Sequence, residues 1–418
     1  MKIAKQQFDI AIIGGGPAGM MAAGRAGELG ARVVLVEKNP APGKKLLLTG
    51  NGRCNLTQKE FDPKIFLQKI NAKNKFLLSA LTSFGPKKVI DFFEKNNLKT
   101  KEEANGRIFP VSNKAQDVLD TLIRHLRKNN VAFRFQEEVA MFVAKNGKIK
   151  SLLLKNGEEI VAKKFILATG GKSYPKTGST GDGYVWAKKL GHTVISPLPA
   201  LTPIKIKETW VKNLPGISLK NITLRIIQNE KTVLSSSGDI LFTHFGLSGP
   251  LVLNLSKTIG QLKSKDQVFL EIDFWPTIPS FELNKKLQHD FELHSQKNLK
   301  KYLSSFFPEK LASAFSFLAE IDPQKKLHSL NKAERKKLLD ILKKNRLETD
   351  GLLGFQQAMI TSGGVNLKEI NSQTMQSKVV PNLYLAGEIL DLDAPTGGYN
   401  LQICWSTGYL AGTNAAKE

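Results

Sequence analysis

Three glycines and one acid near the start of the chain have the types and spacing of an anion-binding turn. Gly14, Gly16 and Gly19 follow the apolar run Phe8–Ile13, and Pro17 and Ala18 lie inside the turn. The first glycine permits a tight turn, the second lets backbone approach a pyrophosphate, and the third lets helix and strand pack closely. A pyrophosphate would then rest on a helix N-terminus, where free N–H groups and the helix dipole favour an anion. Glu37 closes the next β-branched run, Arg32–Val36, and stands where a carboxylate accepts hydrogen bonds from ribose hydroxyls. The pattern predicts a dinucleotide site.

Two later segments favour FAD over a nicotinamide as the resident dinucleotide. Ala168-Thr169-Gly170-Gly171 closes one apolar run, and Leu385-Ala386-Gly387-Glu388 closes another far downstream. Both are similar to segments of FAD-binding two-dinucleotide folds. Ala394–Gln402 then opens a last helix with Gly397-Gly398, and its first N–H groups can stabilise negative charge on a reduced flavin. Gly398, Asn400 and Leu401 are assigned to that role. No second GxGxxG occurs, so NAD(P)H is expected to visit transiently as reductant.

The segment Lys44–Thr57, KKLLLTGNGRCNLT, narrows the reading. With Thr180-Gly181-Asp182-Gly183 and Pro395–Gln402, it resembles the BaiN/RdsA family of NAD(P)/FAD-dependent oxidoreductases, also called the aminoacetone oxidase family, over essentially the whole chain. A more distant resemblance to fumarate-reductase-type flavoproteins runs through ATGG and TGDG. The family resemblance implies an α/β fold, a Rossmann-like FAD domain with an inserted β-barrel and a helical subdomain. Lys38, Lys44, Val139 and Asp182 complete the expected cofactor contacts. Within the hallmark, Arg53 can bind phosphate or a carbonyl with its forked donors. Asn51 and Asn55 either hold the loop or touch the isoalloxazine. Cys54 is a candidate general acid, or a small buried residue that fixes the loop. The resemblance also turns Thr243–Pro250 toward the flavin, making His244 a second candidate acid. Tyr174 and Tyr399 are weaker alternatives.

These groups need a scaffold, and the apolar patterning supplies one. Phe8–Ile13, Arg32–Val36, Val131–Glu138, Lys148–Leu154, Glu159–Val161, Phe165–Thr169 and Leu383–Ala386 read as strands. Helical spacing covers Pro17–Leu29, Lys64–Asn96 and Lys114–Asn129, while Pro42–Thr57 is too irregular for either. Between Pro197 and Pro276 the texture is short strands with few helical stretches, and from Phe281 to Arg346 it is helical and basic. The expected domains are FAD-binding over 1–195 and 356–418, a barrel over 196–280 and about 345–355, and a helical subdomain over 281–345.

Composition bounds the rest. The 418 residues exceed what one core usually organises. Two cysteines, Cys54 and Cys404, without a Cys/His cluster argue against a disulfide framework, a redox pair or a metal site. No apolar run reaches the ~20 residues of a membrane span, so a cytoplasmic chain is expected. Against 37 acids stand 61 Lys and Arg, a formal charge of +24. Such an excess reflects either a lysine-rich genome or a polyanionic partner. Lys325, Lys326, Lys332, Arg335, Lys336, Lys337, Lys343, Lys344 and Arg346 concentrate it, and all but Lys332 and Arg346 are the expected contacts to ribosomal RNA. The resulting expectation is reduction of a C=C bond, with uridine in ribosomal RNA going to dihydrouridine. A small enone or amine substrate is one alternative, and a non-catalytic flavin-containing RNA-binding protein is another.

Overall fold

A computed structural model describes residues 7–70, 75–262 and 266–417. The chain divides into two compact units, one of Met1–Pro199 with Ala358–Glu418 and one of Ala200–Gln357.

The first unit is organised by a seven-stranded sheet. Strand β1, Gln7–Ile13, runs parallel to β2, Val33–Glu37, on one side and to Glu159–Leu167 on the other. Ala132–Phe135 extends the sheet beyond β2, and Leu383–Leu385 pairs in parallel with Glu159–Leu167. Register aligns the strand ends, because Ile13 pairs with both Val36 and Leu167, and Leu167 pairs with Leu385. Every chain leaving these strands therefore emerges on one edge, beside the point where the strand order reverses. Open α/β sheets bind ligands at that edge.

Helix α1, Pro17–Glu28, begins with proline at its first turn, where a missing N–H costs nothing. Gly30 follows with φ +85°, the left-handed conformation that ends many helices. On its inner side α1 crosses the helix Tyr399–Lys417 at backbone distance. A Cβ on Gly408 would stand 2.3 Å from the Ala18 carbonyl oxygen, and one on Gly412 2.3 Å from that of Ala22. Those two glycines thus fix the crossing.

The second unit is a closed six-stranded barrel carrying helices. Leu224, Ile226, Ile240, Phe242, Leu270 and Ile272 are fully buried in its core. Asn345–Leu352 closes the barrel by pairing with both Ile204–Ile206 and Val268–Asp273.

Several local expectations need correction. Lys64–Asn96 is not one helical stretch: Pro63–Lys69, Leu78–Ser83 and Pro86–Lys95 are separate helices, and residues 71–74 lie outside the described chain. Gly85-Pro86 forces the last break, since proline cannot donate the helical hydrogen bond. Val131–Glu138 is strand only over Ala132–Phe135, which Gln136 ends at a left-handed φ of +58°, and a separate, unexpected strand, Val139–Lys145, follows. The runs Glu159–Val161 and Phe165–Thr169 are one strand, Glu159–Leu167. In the barrel region, expected to hold few helical stretches, a full helix, Pro250–Gln261, starts after Gly249.

Candidate functional site

At the carboxyl edge of the sheet lies a cavity of ≈ 420 Å³. Gly14, Gly16, Pro17, Ala18, Glu37, Lys38, Lys44, Val139, Thr169, Gly170, Asp182 and Glu388 line it, so the strand ends bring together twelve expected residues. Gly19, Arg53, Cys54, Asn55, Gly171, Gly387, Gly398, Asn400 and Leu401 are not among its lining.

The three turn glycines serve different needs. A Cβ on Gly14 would lie 2.5 Å from the Ala168 carbonyl oxygen, and one on Gly19 would lie 1.9 Å from that of Gly14. Both are demanded by the protein's own packing. Gly16 differs, because a Cβ there meets no protein atom within 4 Å. Gly16 caps α1 without any side-chain hydrogen bond, whereas the buried Thr169 Oγ1 packs against Gly183, whose Cβ would stand 2.1 Å from it. An open cradle and uncapped helix N–H groups fit the pyrophosphate of FAD.

Glu37 is held by neutral donors. The Gly15 N–H donates to Oε2 at 2.7 Å, while the Asn39 N–H and Nδ2 donate to Oε1 at 2.8 and 2.7 Å. Both lone pairs of Oε1 are thereby engaged, and Oε2 keeps one for a hydroxyl. Lys38 ties the rim, donating to Asp182 at 2.8 Å and to Thr180 at 2.6 Å.

Glu388 is held by a cation. Thr361 N–H and Ser173 Oγ donate to its Oε1 at 2.7 and 2.9 Å, and Lys45 Nζ donates to Oε2 at 2.8 Å. Lys45 also reaches Ser173 Oγ at 2.6 Å. Gly171 is required here, as its Cβ would fall 2.3 Å from Thr361 Oγ1. Sequence reasoning chose Lys44 and missed Lys45, Ser173 and Thr361. Gly387 turns the chain at φ +77° and donates its N–H to Thr407 Oγ1 at 3.0 Å.

The hallmark loop forms a second group against the start of helix Tyr399–Lys417. Gly50, Asn51, Gly52 and Cys54 all have positive φ, which explains its density of glycine and asparagine. Arg53 is engaged within the protein: it bonds Glu103, donates to Asn113 Oδ1 at 3.1 Å and lies 4.1 Å over the Phe109 ring. Cys54 is fully buried, and burial pushes its thiol up to about 12. Asn55 Oδ1 is buried without a partner, 3.0 Å from where a Gly398 Cβ would stand. Asn400 closes the preceding turn, accepting from the Ala394 N–H at 2.9 Å and donating to its carbonyl at 2.8 Å. Leu401 packs on the core. Tyr399 is buried edge-on against Phe66, and Tyr174 is left-handed at φ +51° beside a 3-10 turn.

His244 is an exposed residue of the barrel unit, its ring 4.8 Å from that of Phe245. The basic helix Lys332–Lys344 requires one correction: Lys343 is not a surface residue. It is buried, paired with Asp273 at 2.8 Å, and donates to the Trp275 and Ile278 carbonyls. Lys325 pairs with Glu334, Lys337 with Glu320, Lys326 Nζ donates to the Gln296 carbonyl, and Arg335 donates to Asn284. Lys336 and Lys344 are exposed.

A buried Ser377–His192–Glu369 arrangement, with 2.9 and 3.1 Å spacings, looks like a nucleophile triad. Ser377 Oγ accepts from the Val379 and Val380 N–H groups, so its lone pairs are occupied and the arrangement braces the loop. Among the described residues no helix is long and apolar enough to cross a membrane.

Known proteins carry the same pattern. The family model described as "HI0933-like protein Rossmann domain" matches residues 8–414. The ribosomal RNA dihydrouridine synthase of Escherichia coli K12 is 33% identical over 97% of each chain. The 3-dehydro-bile acid delta(4,6)-reductase of Clostridium scindens is 32% identical over 98% of this chain and 99% of its own. A flavocytochrome c3 fumarate reductase shares the fold at 17% identity with a TM-score of 0.54, over 99% of this chain and 78% of that one. Relatives and neighbours alike are oxidoreductases on an FAD-binding Rossmann fold. The match along nearly the whole length, laid over a cavity shaped for a dinucleotide, makes this chain an enzyme of the HI0933-like family, the BaiN/RdsA-type FAD-dependent oxidoreductases.

Proposed function

We propose that the enzyme reduces a C=C bond, and that the bond is C5=C6 of uridine in ribosomal RNA, giving dihydrouridine with NAD(P)H as reductant. The observation that carries the choice of RNA is the charge, 61 Lys and Arg against 37 acids. Reduction of a small enone, or oxidation of a small amine, has no use for so large a cationic excess, whereas binding a phosphate backbone does. Likeness to a protein named ribosomal RNA dihydrouridine synthase supports the same reading. The relative named as a bile acid reductase favours a small unsaturated substrate as the second reading.

Bound FAD supplies the hydride chemistry. The chain's own residues bind and orient around it. Gly16 and the first turn of α1 take the pyrophosphate, and Glu37 takes ribose hydroxyls. Glu388, fixed by Lys45, Ser173 and Thr361, meets the polyol end. Gly398 and the start of helix Tyr399–Lys417 face the ring's developing charge. Saturation needs one hydride and one proton on neighbouring carbons, and Cys54 and His244 are the proposed proton donors. With its thiol pushed up to about 12, Cys54 is a neutral donor and no nucleophile.

The deciding experiment compares ribosomal RNA from cells with and without the gene, by mass spectrometry of nuclease fragments. The expected result is one dihydrouridine lost in the deletion and restored by the gene. Unchanged RNA would end the RNA reading and direct the search to small unsaturated metabolites.

A further inference from the structure

Gln402 is fully buried and takes no part in the cofactor contacts described above. It lies in the first turn of the helix Tyr399–Lys417, where its N–H donates to the Gly398 carbonyl at 3.1 Å. Its side-chain amide is engaged at every donor. Nε2 donates to the Phe84 carbonyl at 3.0 Å and to Ser406 Oγ at 2.8 Å, while Oε1 accepts from Thr57 Oγ1 at 2.5 Å. Ser406 Oγ donates in turn to the Phe84 carbonyl at 2.7 Å, and Trp405 Nε1 donates to the Leu56 carbonyl at 2.9 Å. Thr57, Trp405 and Ser406 are fully buried as well. Leu56 and Thr57 end the hallmark loop, so this network ties that loop to the last helix.

We propose that Gln402 is a positioning residue that sets the spacing between the hallmark loop and the helix start at Gly398, and through it the flavin's reduction potential. This rests on the reading above that Gly398 and the helix start face the ring. Burying an amide costs free energy that a methionine of similar volume does not, so a fully satisfied buried network specifies an arrangement more than it adds stability. What it specifies here follows from its ends, the Thr57 side chain and the helix turn that begins at Gly398. On the other side of that turn the two backbones already touch. Gly398 has φ +97°, and a Cβ there would stand 2.5 Å from the Thr57 carbonyl oxygen and 3.0 Å from Asn55 Oδ1. Contact therefore stops the loop and helix from closing further, and the Thr57–Gln402 bond stops them from parting. N–H groups stabilise a developing charge only when held about 2.7–3.1 Å from it, so slack at this joint weakens them. Gln402 is absent from the cavity lining and acts only through these neighbours.

The test is the midpoint potential of the FAD-loaded protein and its variants, measured by anaerobic dye equilibration. N–H groups aimed at the ring's negative charge raise that potential. Thr57→Val keeps the shape and removes the hydroxyl, and Gln402→Met keeps the volume and removes the amide. Each should weaken the preference for reduced over oxidised flavin about tenfold, a downward shift of about 30 mV for a two-electron couple. Thr57→Ser restores the hydroxyl and should restore the parent potential. Ser406→Ala separates positioning from a merely structural role. It breaks the same buried network but leaves the Thr57–Gln402 bond, so it should lower the apo protein's melting temperature and leave the potential unchanged. Should Gln402→Met fail to fold or to hold FAD, the two Thr57 variants decide alone. If Thr57→Val keeps the parent potential, or if Ser406→Ala shifts it as far, the positioning role is overturned while the reading of Gly398 stands. Parent protein whose flavin has the potential of free FAD would overturn that reading, and the positioning role with it.

Discussion

Two carboxylates stand at the ends of parallel strands around one cavity, and they are balanced in opposite ways. Glu37, after β2, is bonded by N–H donors of Gly15 and Asn39, none of them a cation. Glu388, after Leu383–Leu385, has Lys45 on one oxygen and forms a neutral pair. Ribose hydroxyls seek an acceptor, so a lone carboxylate serves them. In the proposed binding, Glu388 faces the polyol with its charge offset by Lys45, so it adds no second uncompensated charge to the pocket that would take the pyrophosphate. The difference teaches that an acid after a strand is not one kind of site: the donors around it decide what it can face.

The strongest way to break this comparison is Lys45→Met. It leaves Glu388 largely buried without its cation, and the pair's modest exposure reduces the usual penalty to about 2–3 kcal/mol. The apo protein's denaturant midpoint should fall accordingly and FAD should bind more weakly. Adding Glu388→Gln should recover most of the loss. A double variant no better than Lys45→Met would mean that Lys45 acts on the ligand directly and that the charge-balance argument is wrong.

Glu37→Gln should cost about 1–2 kcal/mol, because the new amide turns a donor toward N–H groups that need an acceptor. That loss should be insensitive to salt and to changes at Lys45, in contrast to the Glu388 side. Gly16→Ala sharpens the picture with the smallest effect on the fold. Its methyl meets no protein atom and its φ of −78° suits alanine, so apo stability should stay within about 0.5 kcal/mol. FAD affinity should nonetheless drop at least about tenfold, as the methyl fills the cradle. Unchanged affinity would remove the pyrophosphate from that turn.

Much of this was legible in sequence, for identifiable reasons. Parallel strands buried on both faces read as continuous apolar runs, so β1, β2 and Leu383–Leu385 stand out, and the glycine turn is fixed by its neighbours within a few residues. Lys45 was not legible. It meets Glu388 across 343 positions, and nothing local says which of two adjacent cavity-lining lysines reaches that carboxylate. Lys343 shares the difficulty, because Lys343-Lys344 looks like any solvated pair until the barrel strand brings Asp273 beneath one of them.

The return of the chain to its first sheet has a consequence for biosynthesis. Glu388, Thr361 and the helix whose Gly408 and Gly412 seat α1 are all made after the entire barrel unit. Until they leave the ribosome, α1 lacks its crossing partner and the cavity lacks one wall, with Ala22 and Ala23 uncovered. At ~5–20 residues per second, that is a wait of many seconds with apolar surface for chaperones to guard. A chain cut short between the barrel and Gly408 would lack both the crossing glycines and α1's partner helix, and is expected to bind no FAD and to be cleaved by proteases faster than the full chain.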